Sequence, residues 1–392
     1  MSTTAVIVDV VRTPSGRGKP GGALSGVHPV DLAAHTMRAL LERNGLDSLQ
    51  VDDVLMGCVS QVGDQALNVA RQAVLAAGFD ERVPAASIDR QCGSSQQAVH
   101  FAAQGVIAGA YDIVIAAGVE SMSRVPLGSS ATGGHLSQGI AARYPDGLVN
   151  QGVSAELIAQ RWGFTREELD AFSALSHERA ADAWDHDRFA GQIVPVPTPD
   201  GIVELDETVR AGTTVDKLAG LPVSFRTDDL AARFPKIDWK ITPGNSSPLT
   251  DAASAVLIMS EERAIQLGLT PRARFHAFAV VGDDPMMMLT GPIPATRRIL
   301  ERSGLGIGDL DAYEVNEAFA PVPLAWLEEL HADPARMNPW GGAIALGHAV
   351  GSSGTRLLGT LLAHLEQTGG RYGLQTMCEG GGMANATIIE RL

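Results

Sequence analysis

Apolar and polar residues alternate along this chain with two periods. Short continuous apolar runs, bounded by Gly, Pro or Asp, read as buried strands, and longer segments with apolar positions three and four apart read as helices. The first part gives a strand over Ala5–Val11, a helix over Asp31–Arg43 with Asp31 as its cap, and a strand over Asp53–Val59. A helix over Ala66–Ala77, an extended run over Val83–Ile88, a helix over Gln96–Ala108 and a strand over Asp112–Ala117 follow.

The last third repeats that order. Arg272–Val281 reads as a strand, Pro294–Ser303 as a helix stopped by Gly304, Ala312–Val315 as a strand and Pro323–Leu330 as a helix. Met337–Trp340 is extended, Ser353–Leu365 is a helix, and the strands Leu374–Met377 and Ala384–Ile389 close the copy. The repeat is one of architecture, with little residue identity behind it. It is interrupted once. The second copy joins its last two strands through Cys378-Glu379-Gly380-Gly381-Gly382, whereas the strand ending at Gly118 waits until Ala252–Met259 for its partner. The intervening segment reads as an insertion at a hairpin tip, where insertions are tolerated, and it carries a helical pair over Ser154–Trp162 and Thr165–Trp184. The expected fold class is α/β with two duplicated βαβαβαββ halves. The expected division is 1–118 with 251–268 as one half, 119–250 as the inserted loop domain, and 269–392 as the other half.

Composition narrows the function. With 392 residues, 45% of them hydrophobic and 43 of them Gly, the chain can bury a large core. A net charge of −15 argues against a nucleic-acid groove or an anionic membrane surface. No apolar run approaches the roughly 20 residues of a membrane span, and Met1–Thr4 leads straight into a strand with no signal or transit segment. The three cysteines, Cys58, Cys92 and Cys378, are odd in number and lack metal-ligand spacing. They point to a reducing, cytoplasmic setting and to no metal site.

Cys92 stands between an extended run and a helix start, where unpaired backbone N–H groups and the helix dipole favour a thiolate. His348 stands at the matching point of the second copy, just before its third helix. If the copies pack about a pseudo-twofold axis, their equivalent turns meet. The loop at Asn316 and the turn at Cys378 follow strands of the second copy, and strand ends are where α/β sheets bind ligands. The topology therefore brings Cys92, His348, Asn316 and Cys378 to one cleft. Cys58, inside a strand, reads as a buried packing thiol.

Seven motifs in this order resemble the thiolase superfamily over the whole length: Cys92-Gly93-Ser94-Ser95, Val119-Glu120-Ser121-Met122-Ser123, Gly244-Asn245-Ser246-Ser247, Gly291-Pro292-Ile293-Pro294-Ala295, Asn316-Glu317-Ala318-Phe319, Gly341-Gly342-Ala343-Ile344-Ala345-Leu346-Gly347-His348, and Cys378-Glu379-Gly380-Gly381-Gly382-Met383. The resemblance implies a five-layer αβαβα core and an acyltransferase that cleaves 3-ketoacyl-CoA with coenzyme A, or runs the reverse condensation. It implies Cys92 as the acyl-carrying nucleophile, His348 as its base and Cys378 as the acid and base for the acetyl-CoA carbon. One oxyanion would be held by the N–H groups of Cys92 and Gly380, the other by His348 and a water fixed by Asn316, with Glu317 in support. Ser247 and Arg210 would contact CoA, Met288 would line the acyl pocket, and Phe319 would border the thioester; lysines are rare in the chain, so Lys217, close to Arg210 in sequence, is expected as a second phosphate contact. Coenzyme A is then a substrate, with no permanently bound cofactor. The expected assembly is a homodimer or homotetramer, with Leu127–Tyr144 as the tetramer contact.

Three departures from the family pattern bear on this reading. Ala349 replaces the usual proline after the histidine. Glu379 follows the second cysteine where a small or apolar residue is usual, and is expected to point away from the site. Asn150-Gln151 precede Gly152 where short-chain biosynthetic members have His-Met, which disfavours strict acetoacetyl-CoA specificity. The Gln96-Gln97 pair resembles actinobacterial thiolases linked to lipid and steroid breakdown, so the degradative type is expected over a short-chain acetyl-CoA acetyltransferase. A decarboxylating ketoacyl synthase would carry histidine at Asn316 and lack Cys378. A non-catalytic acyl-CoA carrier would have no use for all four polar groups.

Overall fold

A computed structural model describes residues 3–134 and 137–392. In the first copy β1 (Ala5–Arg12) leads to α1 (Pro29–Asn44), β2 (Asp53–Gly57), α2 (Val69–Ala76), β3 (Ala85–Ile88), α3 (Ser94–Ile107) and β4 (Ile113–Ser121). The long excursion that follows contains α4 (Gln151–Trp162) and α5 (Arg166–Asp185) before the chain returns as β5 (Thr250–Ser260). The second copy comprises β6 (Ala273–Gly282), α6 (Pro292–Ser303), β7 (Ala312–Val315), α7 (Pro321–Leu330), α8 (Ser353–Thr368), β8 (Tyr372–Glu379) and β9 (Met383–Arg391).

Two details correct the sequence reading. Helix α1 is capped by His28, whose side chain accepts from the Val30 N–H, and Pro29 takes the first helical position, where its fixed φ is preorganised and its missing N–H costs nothing. Asp31 lies within the first turn instead. The extended run at Met337 is a single parallel bridge to Tyr313, not a strand.

The strand order is the same in both halves. In the first it runs β3-β2-β4-β5-β1, and in the second β7-β8-β9-β6, with the Met337 bridge beyond β7 standing where β3 stands in the first. In each half the closing hairpin is antiparallel: Ile113↔Met259 through Ser121↔Asp251 in one, Tyr372↔Glu390 through Glu379↔Met383 in the other. The half-sheets meet at two residue pairs, Val6↔Arg274 and Ile7↔Ala273.

Helices α3 and α8 lie between the half-sheets, and α1 with α2 on one side and α6 on the other cover the outer faces. This gives the five-layer αβαβα order. The central layer is apolar: Ala98, Val99, Ala102, Ala103 and Val106 of α3 and Leu358, Leu361, Leu362 and Leu365 of α8 pack with Ile7, Val114, Val256 and Ile258. Each of those buried leucines contributes about 1.5–3 kcal/mol relative to exposure. The two helices approach closely at their N-terminal ends. A Cβ at Gly354 would lie within 2.2–2.8 Å of the Gln96 backbone, and the Thr355 N–H donates to Ser95 Oγ at 3.2 Å. That contact draws the turns ahead of both helices together, and those turns carry Cys92 and His348.

Candidate active site

The Cys92 turn is held by its own residues. Gln91 has a positive φ of 49°, and Ser94 Oγ accepts from the Arg90 N–H at 2.9 Å while donating to the Gln91 carbonyl at 2.6 Å. Cys92 is 5% exposed and packs with Val59, Met122, Val350 and Met377. Burial pushes its thiol up to about 12, with the Glu379 carboxyl adding to the rise; hydrogen bonds from the Gln151 side chain and the Gly380 backbone oppose it. Desolvation therefore outweighs the helix N-terminus, and the resting state is a thiol rather than the thiolate expected from the turn alone.

His348 meets this turn from the second copy. Its N–H donates to Thr250 Oγ1 at 3.0 Å, and Nδ1 lies 2.7 Å from Ser353 Oγ. Ser353 Oγ donates to the Ala349 carbonyl at 2.9 Å, so Nδ1 is the donor to Ser353 and Nε2 keeps its lone pair. Asn316 Nδ2 lies 3.4 Å from Nε2. Burial, with the Arg356 guanidinium adding, pushes the imidazole down to about 3, so it rests neutral. The lone pair of Nε2 thus faces the Asn316 amide, and the His348 loop packs against the Cys92 turn through Val350; a neutral imidazole of this kind is the usual proton acceptor for a thiol nucleophile.

Cys378 is fully buried at the end of β8, and its thiol is raised well above the usual range by burial first and then by the neighbouring Cys92 and Glu379. Asn316 Oδ1 is buried without a protein partner. Gly380, Met288 and Phe319 line one cavity of about 670 Å³, together with Gln91, Gln151 and Phe225. The structure thus gathers Cys92, Cys378 and Gly380 at one point, pairs Asn316 with His348, and sets Met288 and Phe319 on the adjoining wall.

Arg210 lies apart, in a shallow pocket with His177, Thr213, Ser246 and Pro248. Ser247 sits between two of those lining residues, and its N–H donates to the Ala318 carbonyl at 3.0 Å. Lys217 is exposed; its Nζ donates to the Gly212 carbonyl at 2.7 Å and it does not line that pocket. The stretch Leu127–Tyr144 is described apart from residues 135–136, which lie outside the described residues; Leu127 reaches the 670 Å³ cavity.

Glu379 corrects the expectation most directly. It is fully buried and turned inward beneath the Cys92 turn, where a side chain at Gly93 would collide with its carboxyl group.

Several contributors escaped the sequence reading. Glu120 accepts from the N–H groups of Val59 (2.9 Å), Ser60 (3.0 Å) and Gly351 (3.0 Å) and from Gln65 Nε2 (2.8 Å), tying the end of β2 to the His348 loop. Ser353 orients the imidazole and Gln151 reaches the Cys92 sulfur. The polar Gln151, where short-chain relatives carry methionine, was the one available signal. Glu317, which the sequence reading did expect in support, accepts from Ser176 Oγ (2.6 Å), Asn338 Nδ2 (2.8 Å) and the Ile344 N–H (3.1 Å), which bolts α5 to the glycine-rich turn before His348.

Comparison with known proteins agrees with this geometry. Residues 5–262 match the thiolase N-terminal domain and residues 269–391 the thiolase C-terminal domain. A steroid 3-ketoacyl-CoA thiolase, FadA6, of Mycobacterium tuberculosis is 48% identical over all of this chain and 95% of its own length. A 3-ketoacyl-CoA thiolase of Pectobacterium carotovorum is 42% identical over 99% of both chains. The crystal structure of the Bacillus anthracis acetyl-CoA acetyltransferase superposes with a TM-score of 0.89 at 36% identity, covering 100% of this chain and 99% of that one. On matches that run from the first strand to the last, and on a fold shared with a solved relative, this chain belongs to the thiolase family.

Proposed function

We propose that the protein is a degradative 3-ketoacyl-CoA thiolase acting on acyl groups larger than acetoacetyl. The observation that carries this is that Cys92, from the first copy, lies close to Cys378, from the second, at the Gly380 end of one large cavity, while the turn carrying His348, bonded to Asn316, packs against the turn carrying Cys92. His348 Nε2 takes the Cys92 proton as the sulfur attacks the 3-keto carbon. The N–H groups of Cys92 and Gly380 hold the resulting oxyanion. The carbon–carbon bond then breaks, and the acetyl-CoA enolate is held by protonated His348 and by a water on Asn316. Cys378 delivers the proton to carbon. A CoA thiol, deprotonated within the Cys378–His348 pair, then takes the acyl group from Cys92. Each oxyanion donor is worth about 2.7–4 kcal/mol in such chemistry.

The substrate assignment rests on the pocket. Sites of roughly 300–1,000 Å³ hold drug-sized ligands, and the 670 Å³ here, walled by Leu127, Phe225, Met288 and Phe319, suits a ring-bearing or long acyl chain better than a two-carbon one. The M. tuberculosis relative named for steroid 3-ketoacyl-CoA supports a ring-bearing substrate.

The same reading assigns the segment 119–250 as the CoA-binding domain, between halves 1–118 with 251–268 and 269–392. Arg210, Ser247 and, from the neighbouring loop, Lys217 meet the CoA arm. It also makes the protein a homodimer or homotetramer in the cytoplasm. Strand β3 is an open sheet edge and Leu67 is 90% exposed, which favours a partner. No helix among the described residues is long and apolar enough to cross a membrane.

The test is a panel of 3-ketoacyl-CoA substrates of rising acyl size, followed by loss of enolate absorbance with CoA present. Enzyme quenched without CoA is analysed by mass spectrometry for acyl-Cys92. Turnover that rises with acyl size and an acyl adduct on Cys92 are expected. Acyl groups found on no residue would end the mechanism, and kcat/KM highest for acetoacetyl-CoA would end the substrate assignment.

A further inference from the structure

The Glu379 carboxyl is fully buried, and neither of its oxygens has a hydrogen-bonding side-chain partner. It fills the space left by the missing side chain of Gly93, immediately beside the nucleophile. The groups facing it come from three elements. From the turn ahead of α3 there are Arg90, whose Nη1 is 3.9 Å from Met383 Sδ and whose buried Nε is unpartnered, and Cys92. From its own strand there is Cys378, and from β9 the Asn385 N–H, which weakly favours the anion. Further along α3, His100 is neutral, pushed down to about 3 by burial and by Arg90, and bonded to Thr387 Oγ1 at 2.7 Å. Arg90 makes no hydrogen bond to either Glu379 oxygen. A carboxyl so placed is costly to ionise, and burial pushes it up to about 8 against the pull of Arg90.

Resting on Cys92 as the nucleophile, we propose that Glu379 is a positioning residue for that sulfur: uncharged, it permits the thiolate, and ionised, it holds the sulfur as the thiol and so sets the alkaline limit of acyl transfer. The proton it loses goes to solvent, and no other group changes state. Below the carboxyl's titration the site carries no extra negative charge. Above it, a carboxylate against the Cys92 turn opposes a second anion through a low-dielectric interior.

The experiment measures the rate of Cys92 alkylation by iodoacetamide between pH 6.5 and 10, located by peptide mass spectrometry, and kcat/KM over the same range. Wild type is compared with Glu379→Gln and with Glu379→Asp. The Cys92 thiol titrates above this range, so the readout is the rising limb: Glu379→Gln is expected to alkylate at the wild-type rate below about pH 8 and about tenfold faster than wild type toward pH 10, the fold-change of one pH unit in the thiol's titration. Its kcat/KM should lose the alkaline fall, which Glu379→Asp keeps. Superimposed alkylation curves for wild type and Glu379→Gln overturn the proposal. Should Glu379→Gln fail to fold, the wild-type profile decides: a one-proton fall centred near pH 8 upholds it, and a flat profile to pH 9.5 overturns it. Alkylation of Cys92 that leaves thiolysis intact would instead refute the nucleophile assignment, so the two failures are distinguishable.

Discussion

His348 Nδ1 lies 2.7 Å from the Ser353 hydroxyl, and that hydroxyl is already committed as donor to the Ala349 carbonyl. One side chain therefore decides which imidazole nitrogen carries the proton and which keeps its lone pair. Replacing Ser353 by Ala frees the ring to rotate or to adopt the other tautomer. Groups that orient a functional imidazole in this way are typically worth 10–100-fold. Ser353→Ala should lower kcat by about that factor with KM within twofold, read in steady-state thiolysis. An unchanged kcat would show that the tautomer is set elsewhere.

Asn316 Nδ2 is 3.4 Å from His348 Nε2, and its Oδ1 is buried with no protein partner. Asn316→Ala should cost about 10²–10³ in thiolysis, the value of one oxyanion donor. Because the enolate arises only when the carbon–carbon bond breaks, transfer of a preloaded acyl group from Cys92 to CoA should be nearly unaffected. Single-turnover deacylation that slows as much as overall turnover would contradict this.

Leu127 reaches the 670 Å³ cavity from the segment between β4 and β5 and is 52% exposed. Leu127→Trp should fill part of that space. A misfit in an apolar pocket is worth about 1–3 kcal/mol, or roughly 10–200-fold. The variant should lose that factor in kcat/KM for ring-bearing 3-ketoacyl-CoA while acetoacetyl-CoA stays within twofold. Equal loss on both would mean that large acyl groups take another path.

Gly354 lets α8 pack directly on the Gln96 backbone. A methyl group there cannot be relieved by a rotamer change, because what it meets is main chain. Gly354→Ala should destabilise by about 1–3 kcal/mol, the usual cost of overpacking, seen as a lower midpoint in denaturant unfolding. It should also lower kcat in the surviving folded fraction, since it separates the turns carrying Cys92 and His348. Wild-type stability and activity together would show that the helix contact does not set the site.

The pairing of strands was legible because both copies announce themselves by the same order of apolar periods, and the short Cys378–Met383 turn showed where the other hairpin had been opened. The approach of the turns that carry Cys92 and His348 followed from that symmetry. The element ends were less accessible: Asp31 has a good capping side chain, yet Pro29 already satisfied the helix start and His28 took the cap. The tetramer contact, Arg210 and Ser247 rested on resemblance alone.

What the one-dimensional pattern determined is therefore which residue types meet, since hydrophobic periodicity and chain order constrain strand order and helix layer. What tertiary structure alone decided is the electrostatic state of the meeting place. A helix N-terminus favours a thiolate, but burial and an inward carboxyl reverse that preference at Cys92. Glu379 could face solvent or core from its position in sequence; the space beside Gly93 places it inside. Charge energies depend on the dielectric and the neighbours within a few ångströms, and those neighbours come from segments nearly 300 residues apart, whose approach no local pattern encodes.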